Sequence, residues 1–279
     1  MSNNKRPQRS HGSIHSARRP DSRRDHKDTK PQRPSEELWI YGHHAVAAVL
    51  SNPQRKIMRL IATPDAAAKL NKDKLVQRQM LAHMKNAERA EIDTIVGAEK
   101  VHQGIAILTR PIKYELSEII TKASINPEAC VIALDQITDP HNIGAVLRSA
   151  ATFRCCAVIA PNRHAPDETG AMAKAASGAL DKVPYVKAVN LVRALKELKE
   201  AGFWVVGLSL GEPKQLSDIR LRGRIVLVLG AEGKGLRRLV SENCDYVASL
   251  PISSDMESLN VSNAAAIAMY EKARQSPET

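Results

Sequence analysis

The chain has 279 residues, 43% of them hydrophobic, and a formal net charge of +11 at pH 7. That length accommodates about two domains with real cores. No apolar run approaches the ~20 residues a membrane span needs, and no signal-peptide apolar region follows the first residues, so a cytoplasmic protein is expected. The four cysteines, Cys130, Cys155, Cys156 and Cys244, form neither a CxxC pair nor a zinc spacing, so reduced thiols and no metal site are expected.

The positive charge is concentrated at the start. Residues 1–36 hold ten Lys/Arg against three Asp and one Glu, and little that is apolar beyond Met1, Ile14 and Ala17. Such a segment cannot bury enough surface to fold alone. Its Arg and Ser content also fits a mitochondrial transit peptide, but Asp21, Asp25, Asp28 and four prolines argue against an amphipathic helix. A disordered basic arm that neutralises the phosphates of a polyanion fits better than a mere solubilising tail. The nine aromatic residues of the chain are too few for base-stacking sheets of the RRM or OB kind.

Ordered sequence begins near Glu37. Residues 37–111 read as a small α/β domain: a helix HHAVAAVLSN, a strand KIMRLIAT, a polar helical stretch over 65–88, and a closing strand GIAILTRP. Residues 112–127 read as a linker with a short helix. From 128 to 279 apolar runs recur at 130–135, 156–161, 183–187, 204–209, 224–230 and 246–251, with helical patterns at 142–153, 170–180, 191–201, 235–243 and 258–274. Near-continuous apolar strands alternating with helices predict a parallel sheet covered on both faces. In such sheets the ligand crevice lies beyond the C-terminal ends of the strands. DPHN, GAEGKG and PISSDMESLN follow strands and should converge there.

In DPHNIGAVLRSA (139–150) a permanent cation, Arg148, sits in an otherwise buried type of helix. Its neighbours at three and four residues are Gly144, Ala145, Ala151 and Thr152, all small. An internal ion pair is one reading. The other is a ligand-facing cation, the small neighbours leaving room and Arg148 leaning back toward Asn142, the expected N-cap, where free N–H groups favour anions. GAEGKGLRR (230–238) has the glycines of a phosphate-cradling loop but neither the GxGxxG nor the Walker A pattern. Glu232 there suits a ligand with amines or hydroxyls better than a nucleoside triphosphate. In ESLNVSNAAAIAMYE (257–271), Ser258, Asn260, Ser262 and Asn263 exceed what one helix cap requires.

Together DPHNIGAVLRSA, LVLGAEGKGL and LPISSDMESLNVSNAAAIA resemble the three motifs of the SpoU family, RNA ribose 2′-O-methyltransferases of the SPOUT superfamily. YGHHAVAAVL (41–50), VHQGIAIL (101–108) and KAASGALDKVPY (174–185) extend the likeness to about residues 39–274, and the two-domain layout looks most like bacterial 23S rRNA guanosine 2′-O-methyltransferases. The resemblance implies a C-terminal trefoil-knotted domain, an L30e-like substrate-binding domain before it, and a homodimer. It also implies S-adenosylmethionine held at Gly230, Leu250, Ile252 and Leu259. Asn142 and Arg148 match the catalytic positions of the first motif, Glu232 the family glutamate, and Ser258 and Asn260 the polar pair of the third. Asn263 departs from the small or apolar residue usual after SLNVS.

What the resemblance implies is methyl transfer to a ribose 2′-hydroxyl, of a guanosine in 23S rRNA by the layout. A tRNA substrate, or a non-catalytic RNA-binding assembly factor, are the alternatives. The family assigns proton removal to the arginine position, yet a guanidinium with a pKa above ~12 is a poor base; an arginine that binds phosphate and stabilises the forming alkoxide is easier to defend. Deleting residues 1–36 should weaken RNA binding at low salt and flatten its salt dependence, by roughly 0.9 in log–log slope per lost phosphate contact. A salt titration of truncated and full-length protein checks this; an unchanged slope would remove the arm from the RNA contact.

Overall fold

The computed structural model describes residues 37–73, 76, 81, 84–253 and 255–276. The basic arm expected over 1–36 lies outside them. The first sheet has four strands, β1 (Leu38–Tyr41), β2 (Ile57–Ala62), β3 (Met84–Asn86) and β4 (Ile105–Thr109), in the order β1-β4-β2-β3. β4 pairs antiparallel with β1 and β2, while β3 runs parallel to β2. Helix α1 (His43–Ser51) follows β1 and buries Val46, Val49 and Leu50. The HQG turn before β4 is tight, with Gln103 and Gly104 both at positive φ. Inside it His102, fully buried, accepts from Gly104 N at its Nδ1 and meets Asp93 with its Nε2 at 2.8 Å.

The helical stretch expected over 65–88 is corrected. Its start is helical, as α2 (Pro64–Asn71), with Thr63 as N-cap and Pro64 in the first turn; residues 74–75, 77–80 and 82–83 lie outside the described residues. Met84–Asn86 is strand, and α3 (Arg89–Val96) follows it. These segments are polar on most faces, with Ile92 the one buried residue of α3, so neither periodicity was visible. Helix α4 (Leu116–Ile125) follows the first sheet.

The second sheet is wholly parallel. Its strands are β5 (Cys130–Asp135), β6 (Ala157–Pro161), β7 (Tyr185–Ala188), β8 (Trp204–Leu208), β9 (Ile225–Gly230) and β10 (Tyr246–Ala248), in the order β10-β8-β9-β5-β6-β7. Every residue of β5 and β6 is buried, as strands covered on both faces require. Covering helices are α5 (Pro140–Thr152), α6 (Gly170–Ala176), α7 (Leu191–Glu200), the short α8 (Arg238–Ser241) and α9 (Val261–Gln275). α7 shows how: Leu191, Ala194, Leu195 and Leu198 form one stripe that packs on the sheet, each leucine contributing roughly 2 kcal/mol by burial. α9 packs beside α5, and its buried Lys272 donates to Glu128 at 2.5 Å, just before β5.

α5 and α6 are in unusually close contact at Gly144. A Cβ there would lie 2.5 Å from the Met172 carbonyl and 2.6 Å from the Ala175 side chain. Gly144 is therefore small for helix packing, which corrects the expectation that it leaves room for a ligand. Alanine gains about 1 kcal/mol over glycine inside a helix, but forcing atoms into a packed contact costs roughly 1–3 kcal/mol, and here the obstacle is backbone. Gly144→Ala should therefore lower the denaturation midpoint in urea instead of raising it, as equilibrium unfolding will show.

Candidate active site

The parallel sheet fixes where its loops meet. β5 and β9 end in register, Asp135 opposite Gly230, and Leu208 of β8 stands between Leu229 and Ala248 of its two neighbours. The chain reverses direction across the sheet at β5 and β9, the kind of switch point where open α/β sheets bind ligands. The three expected loops converge here, together with residues 209–210 after β8, which no sequence signal had marked. The segments after β8, β9 and β10 enclose a cleft with about 590 Å³ of open space, its mouth included, and the start of α5 meets its rim through Asn142. Gly230, Leu250, Ile252, Ser258 and Leu259 all line it, as does Glu232. Gly230 has no alternative: a Cβ would collide with the Gly235 carbonyl, where the loop folds back and Gly235 N donates to Ala231 O at 2.8 Å.

At the mouth, Glu232 joins two helix starts. Its Oε1 accepts from Val261 N at 3.1 Å, from Asn260 Nδ2 at 2.9 Å and from Asn142 Nδ2 at 3.4 Å. Asn260 Nδ2 also donates to Asn142 Oδ1 at 3.0 Å. Val261 opens the 15-residue α9, so the carboxylate sits where unpaired N–H groups and the helix dipole favour a negative charge. Asn260 is the cap of that helix, its Oδ1 accepting from Ser262 N at 2.9 Å and Ser262 Oγ at 2.6 Å. Helix 258–274 thus begins three residues later than its pattern indicated.

Asn142 is not the N-cap of α5. Asp139 is, accepting from His141 N at 2.8 Å, and Pro140, whose missing N–H costs nothing at a helix start, follows it. Asn142 lies one turn in and turns its amide to Glu232 and Asn260. Arg148 is exposed, and among the described residues its side chain makes no ion pair, so the internal salt-bridge reading fails. At 100° per residue it stands about 120° around the helix axis from Asn142, away from the junction with Glu232 and Asn260, and neither residue lines the cleft.

Sequence reasoning missed the brace behind the site. Asp135, fully buried, accepts from Arg237 N at 2.9 Å and from Arg237 Nε and Nη2 at 2.7 Å. The one signal was a carboxylate closing the apolar run CVIALD. The cysteines are free. Burial pushes the Cys244 thiol up to about 12 and raises Cys156 too, and a hydrogen bond to Cys130 together with burial raises Cys155. Cys155, Cys156 and Cys244 are therefore thiols at neutral pH and not nucleophiles. Among the described residues no three His, Cys, Asp or Glu come together as a metal-ligating group.

The cleft suits an uncharged or cationic ligand with a large apolar body. Its lining, among the described residues, has a carboxylate and no lysine or arginine, whereas a phosphate group would need the reverse. The profile of the SpoU rRNA Methylase family matches residues 129–270, and that of RNA 2′-O ribose methyltransferase substrate binding matches 39–115. The chain belongs to the SpoU family. A SpoU relative from a Burkholderia species, described as 23S rRNA (guanosine-2′-O-)-methyltransferase RlmB, is 39% identical, over 85% of this chain and 96% of the relative. The RlmB of Pseudomonas putida is 34% identical over the same shares. Among solved structures, an AdoMet-bound rRNA methyltransferase from Sinorhizobium meliloti superposes with a TM-score of 0.72 at 20% identity, covering 86% of this chain and 87% of that one. The SpoU methyltransferase AviRb from Streptomyces viridochromogenes, in complex with AdoMet, gives 0.70 at 20% identity, over 86% and 90%. These two share the fold.

Removing Arg237 strands a buried carboxylate. The loss for a fully buried pair is roughly 3–5 kcal/mol; half of Arg237 is in water, so Arg237→Ala should cost about 2 kcal/mol. Adding Asp135→Asn should restore part of it. Urea melts of both variants at neutral pH test the brace, and an unchanged single variant would refute it.

Proposed function

We propose that this protein transfers the methyl group of S-adenosylmethionine to the ribose 2′-hydroxyl of a guanosine in 23S rRNA. The observation that carries the reading is the junction of Asn142, Glu232 and Asn260 at the mouth of an apolar cleft in a SpoU-family chain. Gly230, Leu250, Ile252 and Leu259 hold the donor, which supplies an electrophilic sulfonium methyl when bound. The Glu232 carboxylate favours that positive charge in the cleft. Asn142, Asn260 and Ser258 orient the ribose, and Arg148, exposed and free of an ion pair among the described residues, takes a backbone phosphate and stabilises the alkoxide as the 2′-hydroxyl gives its proton to water.

The wider architecture follows the same reading. Residues 37–111 form the L30e-like RNA-binding domain, 112–127 the linker and 128–279 the catalytic domain. The segment after β10 completes a trefoil knot, a departure from the usual unknotted connections; the match of residues 129–270 to the SpoU family supports it. The active form is a homodimer that covers the exposed Ile267 and Tyr270 of α9. It works in the cytoplasm, and no helix among the described residues is long and apolar enough to cross a membrane.

Incubating RNA from a strain lacking the enzyme with labelled S-adenosylmethionine, then mapping the product, tests this directly. Label in a 23S rRNA guanosine supports it; label confined to tRNA, or none, overturns it. Arg148→Ala should reduce turnover by about 10²-fold or more while leaving donor affinity in calorimetry and the thermal melt nearly unchanged. Asn142→Ala should reduce turnover comparably. An Arg148→Ala protein that melts early but turns over normally per folded molecule would defeat the assignment.

A further inference from the structure

We propose that Arg55 is a positioning residue for methyl transfer: its buried guanidinium locks the RNA-binding sheet to α6, and so determines which ribose reaches the cleft. The inference rests on the methyltransferase reading.

Arg55 lies in the turn between α1 and β2, its side chain with no exposed surface. Nε donates to Asp181 Oδ1 at 2.7 Å, and Nη1 to Glu168 Oε2 at 2.6 Å and to the Arg110 carbonyl at 2.9 Å. The two carboxylates, 5% and 3% exposed, flank α6: Glu168 just precedes it and Asp181 closes the 3-10 turn that follows. Asn52 Nδ2 adds a bond to Asp181 Oδ1 at 3.1 Å, and Glu168 Oε1 accepts from Ile112 N at 3.3 Å, where the chain leaves the first sheet. One planar fork therefore ties the first sheet, the start of the linker and both ends of α6.

α6 in turn is keyed to the helix that carries Asn142 and Arg148, through the contact at Gly144. It also meets the first sheet, since a Cβ on Gly170 would lie 2.5 Å from the Trp39 carbonyl and Lys174 Nζ donates to Gln103 at 2.8 Å. The path from RNA-binding sheet to active-site helix is thus closely packed or hydrogen-bonded at each joint. Stability alone does not account for the triad. Buried charge triads are often matched or bettered by apolar side chains of like volume, and burial pushes the Glu168 carboxyl up even against the pull of Arg55. What the fork adds is direction, because two carboxylates at fixed angles accept a guanidinium in one orientation. Orientation matters here: a hinge of about 5° moves a point about 20 Å away by roughly 2 Å, and misplacement of about 1 Å can cost on the order of 10²-fold in rate.

The test uses the full-length protein with Arg55→Lys, which keeps the charge but not the fork, and the charge-free triple variant Arg55→Met/Glu168→Gln/Asp181→Asn. Folding is followed by thermal melts, donor affinity by calorimetry, and domain geometry by spin-label distances between Lys85→Cys and Arg193→Cys in spin-diluted samples. Folded variants should bind S-adenosylmethionine within about twofold of the parent, yet show a broadened distance distribution. Their kcat/KM on 23S rRNA should fall roughly tenfold or more, with methyl groups appearing on riboses beside the parent's site. A folded variant with the parent's distance distribution, or a broadened one with unchanged kcat/KM and site, overturns the proposal. If both variants unfold, the triad is a stability element and the positioning role is rejected. Should the parent itself methylate no rRNA, the functional reading fails, while the spin-label distances still decide whether the lock exists.

Discussion

Asp135 has no exposed surface and stands at the end of a strand whose other residues are also buried. A carboxylate in that place must find donors or cost several kcal/mol. Among the described residues the donors it finds come from Arg237, through its backbone N–H and its guanidinium. Because Asp135 pairs with Gly230 in the ladder, this draws the loop that leaves β9 back across the strand it has just left. The loop can close so tightly only because Gly230 has no side chain. The floor of the cleft, the position of Glu232 and the approach of α9 all follow from satisfying that one buried group.

Glu232 then does for the rim what Asp135 does for the floor. It collects the first N–H of α9 and the amides of Asn142 and Asn260, and so links the starts of α5 and α9 at the exposed rim of the cleft. The same charge faces the cleft. A single side chain thereby holds two helices together and sets the sign of ligand the cavity favours.

Much of this was legible in the sequence because the second sheet obeys simple rules. Runs such as CVIALD and RIVLVLG are buried on both faces and stand out without reference to partners. The loops after them carry polar and glycine residues that serve no strand, so Glu232, Ser258 and Asn260 were visible as a group. Their converging on one cleft followed from parallel topology alone. The first sheet was read less well, since Leu38–Tyr41 and Met84–Asn86 are too short for an alternation to emerge and α3 is polar on most faces. Asn142 was given the wrong local job because Asp139 and Pro140 offer the stronger helix start. The small neighbours of Arg148 were ascribed to ligand access, whereas Gly144 answers to α6, a partner 28 residues and more away in sequence. Arg55, Glu168 and Asp181 left no pattern at all; long-range charge triads have no period.

α6 is only seven residues long, yet it touches the first sheet on one side and α5 on another, with a carboxylate shared with Arg55 near either end. This bears on how such chains can be recombined. A graft that exchanged residues 39–115 for those of another family member would sever Arg55 from Glu168 and Asp181 and set a foreign β1 against Gly170. The unit that can be inherited intact is therefore discontinuous, the first sheet together with residues 168–181. A substitution at either place leaves a buried charge unpaired at the other, although more than a hundred residues of chain separate Arg55 from the nearer of its partners.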